Sequence, residues 1–184
     1  MFGHSQKWMK LSMHKTSLVL TILGQDRPGL VDSLAQVVAE HGGNWVESRM
    51  AHLAGQFAGI LRVEVDPQQA EPLTAALKNL AGAGLEAVVR PDRAPPIDVK
   101  QPLVQLSLVG QDRPGIIREI SHVLAAHGVN VEELSTECTN APTTGQSLFR
   151  ATAKLRLPPH VTAVTLRDAL EKVAADMMVD VTLE

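Results

Sequence analysis

One segment of this chain occurs twice. Residues 24–47, GQDRPGLVDSLAQVVAEHGGNWVE, return as residues 110–133, GQDRPGIIREISHVLAAHGVNVEE, 86 positions later. Of the 24 aligned positions 12 are identical, and others exchange Leu for Ile or Val for Leu. Such self-similarity has to be explained before any local pattern, because each copy must be one structural unit. Two copies at this spacing are too few and too long for a solenoid. Each is therefore expected to be a domain with its own core, and 184 residues suffice for two small ones.

The expected boundaries are a tail at residues 1–15, a first domain at 16–90, a linker at 91–102 and a second domain at 103–184. The linker, PDRAPPIDVKQP, is rich in Pro and charge. Pro95-Pro96 biases it toward extended polyproline II geometry.

Within the first copy, Leu18, Leu20 and Ile22 alternate with Val19, Thr21 and Leu23, which reads as a strand ending at Gly24. Leu30, Leu34, Val37, Val38 and His41 then recur at helical spacing, with Pro28 suited to the first turn and Gly42-Gly43 to the far end. Strands are expected from about Asn44 to Leu53 and from about Gln56 to Val65, joined by a turn at Ala54-Gly55. Pro67 or Pro72 opens a second helix through Leu73, Leu77 and Leu80, which Gly82 or Gly84 ends. Residues 85–90 form the last strand.

The second copy repeats the order: Val104, Leu106 and Leu108, then a helix on Ile116, Ile120, Val123, Leu124 and His127. Its second strand starts at Asn130 and alternates poorly, and its hairpin loop spans about Thr139 to Gln146. Ala151, Ala153, Leu155 and Leu157 alternate with Arg150, Thr152, Lys154 and Arg156. Leu166, Leu170 and Val173 mark the last helix, and residues 177–183 the last strand. The order βαββαβ predicts an α+β class: two ferredoxin-like domains, each a four-stranded antiparallel sheet with two helices on one face.

The GQDRPG element falls at a strand-to-helix turn. Gly24 and Gly110 let the chain turn sharply and let a ligand approach the backbone. Asp26 or Arg27, and Asp112 or Arg113, are read as helix N-caps, with Gly29 and Gly115 in the first turn. Free N–H groups there favour an anion such as a carboxylate. The aspartate accepts from an ammonium group, and Asn44 or Asn130 both donates and accepts. An amino-acid zwitterion matches this chemistry. Helix capping alone also accounts for Asp-Arg-Pro-Gly.

GQDRPG, an amphipathic helix, His-Gly and then Asn resemble the ACT domain, a regulatory amino-acid-binding module of βαββαβ fold. The resemblance covers both copies. Two such domains with no catalytic domain resemble the bacterial glycine cleavage system transcriptional repressor group. The resemblance implies ligand contacts from Asp26 with Asn44 and from Asp112 with Asn130, and from the backbone around Gly29 and Gly115. It also implies a ligand at an interface between two ACT domains, hence pairing within the chain or in a homodimer. The ligand would be glycine or a similar small amino acid, and the partner a protein such as a transcriptional activator. Some members carry Asn where Asp26 stands. Ionised Asp only accepts, so the ligand's inventory of donors changes.

Composition narrows the other classes. A net charge of −3 argues against a phosphate-binding surface and so against direct nucleic-acid contact. The RNA-binding RRM shares the βαββαβ order but reads bases with aromatics on its sheet. Aromatics here are scarce: three Phe, two Trp and no Tyr. No apolar run approaches a membrane span and no secretory leader is evident, so a cytoplasmic protein is expected. Cys138, the one cysteine, lacks a CxxC partner. His41 and His127 end helices, which suits the negative dipole end better than a metal. Arg150, Lys154 and Arg156 read as a solvated strand face. No catalytic motif occurs, and neither an enzyme nor a cofactor is expected.

Overall fold

A computed structural model describes residues 15–93, 101–140 and 145–184. The expected tail and most of the expected linker lie outside these residues. By internal contact the chain divides into two compact units, Met1–Pro95 and Pro96–Glu184.

In unit 1 the elements are β1 (Thr16–Gln25), α1 (Leu30–Glu40), β2 (Asn44–Leu53), β3 (Gln56–Val65), α2 (Ala70–Asn79) and β4 (Leu85–Pro91). The sheet is antiparallel throughout in the order β2-β3-β1-β4. Alternation places Leu18, Leu20 and Ile22 of β1 on the face that Leu30, Leu34 and Val38 of α1 and Leu73 and Leu77 of α2 cover. Leu20, Ile22, Leu34, Leu61, Leu73 and Leu77 are fully buried. Each such side chain stabilises the unit by about 1.5–3 kcal/mol relative to exposure. The intervening Thr21, Leu23 and Ile60 remain exposed on the other face.

Unit 2 comprises β5 (Leu103–Gln111), α3 (Ile116–Ala126), β6 (Asn130–Asn140), β7 (Ser147–Arg156), α4 (Ala163–Met177) and β8 (Val179–Leu183), in sheet order β6-β7-β5-β8. Ile116, Ile120 and Leu124 from α3 and Leu166, Leu170 and Ala174 from α4 close its core. The two ferredoxin-like units have the expected class and element order.

Three local expectations differ. Gly24 and Gly110 do not end their strands, which run on through Gln25 and Gln111. A Cβ on Gly24 would lie 2.4 Å from the Gly84 carbonyl oxygen, and one on Gly110 would lie 2.7 Å from that of Met178. Glycine is required there because the backbone entering β4 and β8 lies so close. The first helices start later than Pro28 and Pro114 suggest, with Gly29 and Gly115 as N-caps at φ 89° and 98°. Neither Asp26 nor Asp112 caps a helix, nor do the arginines after them. The longer hairpin of unit 2 has β6 continuing to Asn140, so its connection is shorter than the expected loop.

Candidate functional site

Each GQDRPG segment leaves the central strand, crosses the end of the sheet and enters a helix. Its path is fixed by backbone bonds. The Asp26 N–H donates to the Gly55 carbonyl at 2.9 Å, and the Asp112 N–H donates to that of Ser147 at 3.0 Å. The turn is thereby tied to the β2–β3 hairpin in unit 1 and to the start of β7 in unit 2.

The positive φ of Gly29 and Gly115 excludes most side chains there. The space a Cβ would occupy at Gly29 is open, and at Gly115 it meets only the Met177 methyl at 4.0 Å. Neither helix start receives a side-chain cap. The Gly29 carbonyl accepts from the Ser33 N–H and the Ser33 hydroxyl, each at 2.9 Å. Without a side-chain cap, the first-turn N–H groups of α1 and α3 stand at the positive end of a helix, chemistry that suits a carboxylate.

The aspartates acquire neighbours that the repeat obscures. Asp26 Oδ2 lies 3.6 Å from His52 Nε2, an ion pair when the imidazole is protonated. Asp112 stands beside Cys138, and desolvation together with this carboxylate raises the thiol pKa. His52 and Cys138 are themselves 86 positions apart. They occupy one place in the fold, opposite Phe57 and Phe149. The signal was the repeat offset itself, carried beyond the block of identity to positions where the residues differ.

The arginines point elsewhere. Arg27 donates from Nη2 to the Ala83 carbonyl at 2.7 Å, at the end of the 3-10 turn Leu80–Ala83 that follows α2. Arg113 Nη2 meets Met178 Sδ at 3.2 Å and Gln111 Oε1 at 3.4 Å. A guanidinium at a helix C-terminal end satisfies carbonyls without an intrahelical donor. Arg27 and Arg113 are thus engaged with groups of their own units.

Asn44 and Asn130 lie at the far end of the same sheets. Asn44 stands opposite Glu64 and, through it, Ser17, whereas Gln25 stands opposite Gln56. Eight residues of strand separate the two levels, roughly 26 Å at about 3.3 Å per residue. Asn130, opposite Arg156 and Leu103, is displaced equally from Gln111. Asp26 with Asn44, or Asp112 with Asn130, therefore cannot line one pocket of a single unit.

Asn130 also joins a polar cluster at the edge of unit 2. Its Nδ2 donates to Glu132 Oε1 at 2.8 Å, and Arg156 Nε donates to the same oxygen at 3.0 Å. These hydrogen bonds, Arg156 first, hold the Glu132 carboxyl below the usual glutamate range. Lys154 pairs with Glu133 at 2.9 Å. Lys154 and Arg156 of the β7 row are thus each paired with an acid of β6.

His41 and His127 each place Nδ1 2.8 Å from the carbonyl of the residue four before, Val37 and Val123. A carbonyl only accepts, so Nδ1 carries the proton and the rings serve the helix ends. Among the described residues no group of three or more His, Cys, Asp or Glu could hold a metal ion. Trp45, Phe57 and Phe149 pack against the cores rather than forming a stacking platform on an open sheet. No helix among the described residues is long and apolar enough to cross a membrane.

Comparison with known proteins gives the same two units. Models of the ACT domain match residues 16–89 and 104–163. The chain is 25% identical over 165 residues to the glycine cleavage system transcriptional repressor of Escherichia coli, covering 87% of this chain and 85% of that protein. It is 29% identical over 177 residues to phosphoserine phosphatase SerB2 of Mycobacterium tuberculosis, and covers 41% of that longer protein. A solved structure of an unknown protein from Galdieria sulphuraria matches with a TM-score of 0.83 at 30% identity, over 92% of this chain and 98% of that one. A solved structure described as a putative glycine cleavage system transcriptional repressor shares the fold, with a TM-score of 0.68 at 17% identity, over 93% and 97%.

Proposed function

We propose, for a chain that belongs to the ACT-domain family through both of its units, that it is a regulatory protein binding a small amino acid and not an enzyme. The observation that carries this reading is the pair of open helix starts at Gly29 and Gly115. Each offers first-turn amides to a carboxylate and has an aspartate nearby to accept from an ammonium group. Glycine or a similarly small amino acid is the proposed ligand. The likeness to a glycine cleavage system repressor over most of both chains supports that choice.

Asn44 and Asn130 are too distant from the turns of their own units. Each is therefore assigned to a ligand held by a turn of another unit, in the same chain or in a homodimer. Occupancy would act by changing how units pair, since a ligand shifts an equilibrium only by its differential affinity for the two states. The output is proposed to pass to a protein partner such as a transcriptional activator. The match to one part of a phosphatase fits a module that serves different outputs.

A thermal-shift panel of the twenty amino acids at millimolar concentration tests the reading. Glycine or another small amino acid is expected to raise the melting temperature. A flat panel on a well-folded protein contradicts it.

A further inference from the structure

Each sheet has one face under its helices and one face without them. On that second face of unit 1 the residues fall into rows across the strands. One row is Arg49 on β2, Ile60 on β3, Thr21 on β1 and Val88 on β4. The next is Ala51, Ala58, Leu23 and Glu86. The row on the other side begins with Glu47 and ends with Arg90. Leu23, Ile60 and Val88 are 48%, 55% and 54% exposed, and Ala51 and Ala58 are exposed beside them. A contiguous apolar patch with a charged rim marks an interaction surface.

The charges at the rim decide what fits. Sheets packed face to face keep their strands within about 30° of each other. A two-fold axis along the strands lays β2 of one protomer over β4 of the other, and β3 over β1, row on row. Glu47 then comes over the partner's Arg90, and Glu86 over the partner's Ala51, one row from the partner's Arg49. Ile60 comes over the partner's Thr21 and Leu23 over the partner's Ala58, so the apolar side chains close on one another. Glu47 lies 3.5 Å from Arg49 of its own strand, and both are more than half exposed. Such a pair is worth little in water, and exchanging it costs little. A two-fold axis across the strands fits worse, because it sets Glu47 over the partner's Leu53 and brings the two Arg49 side chains together.

Unit 2 supplies the contrast. Its matching rows begin and end with Glu133 and Glu184, and with Glu137 and Asp180. The same axis would lay carboxylate on carboxylate at both places, an arrangement that costs free energy. Thr152 and Thr182 stand where unit 1 has Ile60 and Val88. One backbone thus carries a face that matches itself and a face that repels itself.

We propose that the helix-free sheet face of unit 1 is an isologous interface with unit 1 of a second copy of this chain. The inference stands on this face alone and does not depend on the amino-acid reading.

Sedimentation velocity of the full chain over a concentration series tests it. The wild type is expected to pass from monomer to dimer as concentration rises. Ile60→Asp places a carboxylate among apolar side chains, and Arg90→Glu sets one against the partner's Glu47. Each is expected to raise the dimer dissociation constant by roughly tenfold or more. Adding Glu47→Arg to Arg90→Glu restores opposite charges and is expected to recover most of that loss. Thr152→Asp, at the matching place of unit 2, is expected to leave the dimer unchanged. Circular dichroism checks that each variant is folded, and Arg90→Glu decides if Ile60→Asp is not. A wild type that stays monomeric throughout overturns the proposal and leaves the face to a different protein. A dimer that the folded variants leave intact overturns the interface, and a double variant that recovers nothing overturns the two-fold arrangement.

Discussion

The two units are copies in backbone and divergent in surface. Unit 1 exposes Leu23, Ile60 and Val88 on its open sheet face, where unit 2 places Val109, Thr152 and Thr182. Unit 1 sets Trp45 and Leu61 in the layer under its first helix, where unit 2 has the smaller Val131 and Ala153 and a cleft of about 20 Å³. Unit 1 sets His52 beside its turn aspartate, and unit 2 sets Cys138 there. What stays constant is GQDRPG, the glycine at positive φ, the aspartate tied to a neighbouring strand and the histidine closing the helix. Duplication preserved the turn and its helix while the faces around them diverged. That is the pattern expected when two equivalent sites share a backbone and sit on surfaces with different tasks.

The largest expected effect lies in the layer where the units differ. Leu61→Ala would create in unit 1 the opening that Ala153 leaves in unit 2, at a cost of about 2–5 kcal/mol in urea denaturation. A cost well under 1 kcal/mol would mean that unit 1 is not packed there, and the contrast would fail. Next, Gly24→Ala and Gly110→Ala would drive a Cβ into backbone at 2.4 and 2.7 Å. Each is expected to destabilise by about 1–3 kcal/mol, and the two in parallel, because the close crossing is common to both units. A tolerated alanine at one position alone would break that symmetry.

A smaller effect is expected from Gly29→Ala and Gly115→Ala, about 1 kcal/mol each, from the positive φ. The smallest separates the units again. Glu132 has no counterpart in unit 1, where Val46 stands at its place in the repeat. Its folded pKa is depressed by Arg156 and Asn130, so its contribution is present above the usual glutamate range and is lost as pH falls through the folded value. Glu132→Gln is expected to cost under about 1 kcal/mol near neutrality, given its exposure, and to flatten the acid limb of the stability profile. An unchanged acid limb would show the cluster to be inert.

Much of the fold was legible in the sequence because period carries it. The alternation around Leu20 and Ile22 and the spacing of Leu30, Leu34 and Val38 appear as buried faces. The arrangement of the candidate residues was not legible. Asp26 before Arg-Pro reads as a cap by composition, but the backbone chose Gly29, whose αL geometry no side-chain rule anticipates. Gly24 reads as a turn residue, yet its constraint comes from Gly84, the turn residue 60 positions later that leads into β4. Asn44 follows the helix closely in sequence, but α1 carries the chain back along the sheet, so closeness in sequence becomes distance in space. Arg27 reads as part of the site because it sits within the motif, while its partner, Ala83, lies 56 residues away.

The central claim is that the two conserved turns bind an amino acid. Titration calorimetry with whichever amino acid shifts the melting temperature most, on the wild type, Asp26→Ala, Asp112→Ala and the double variant, tests it most directly. The account predicts saturable binding that each single variant weakens and the double variant abolishes, with all four proteins folded. Binding of unchanged affinity and stoichiometry in the double variant would contradict it.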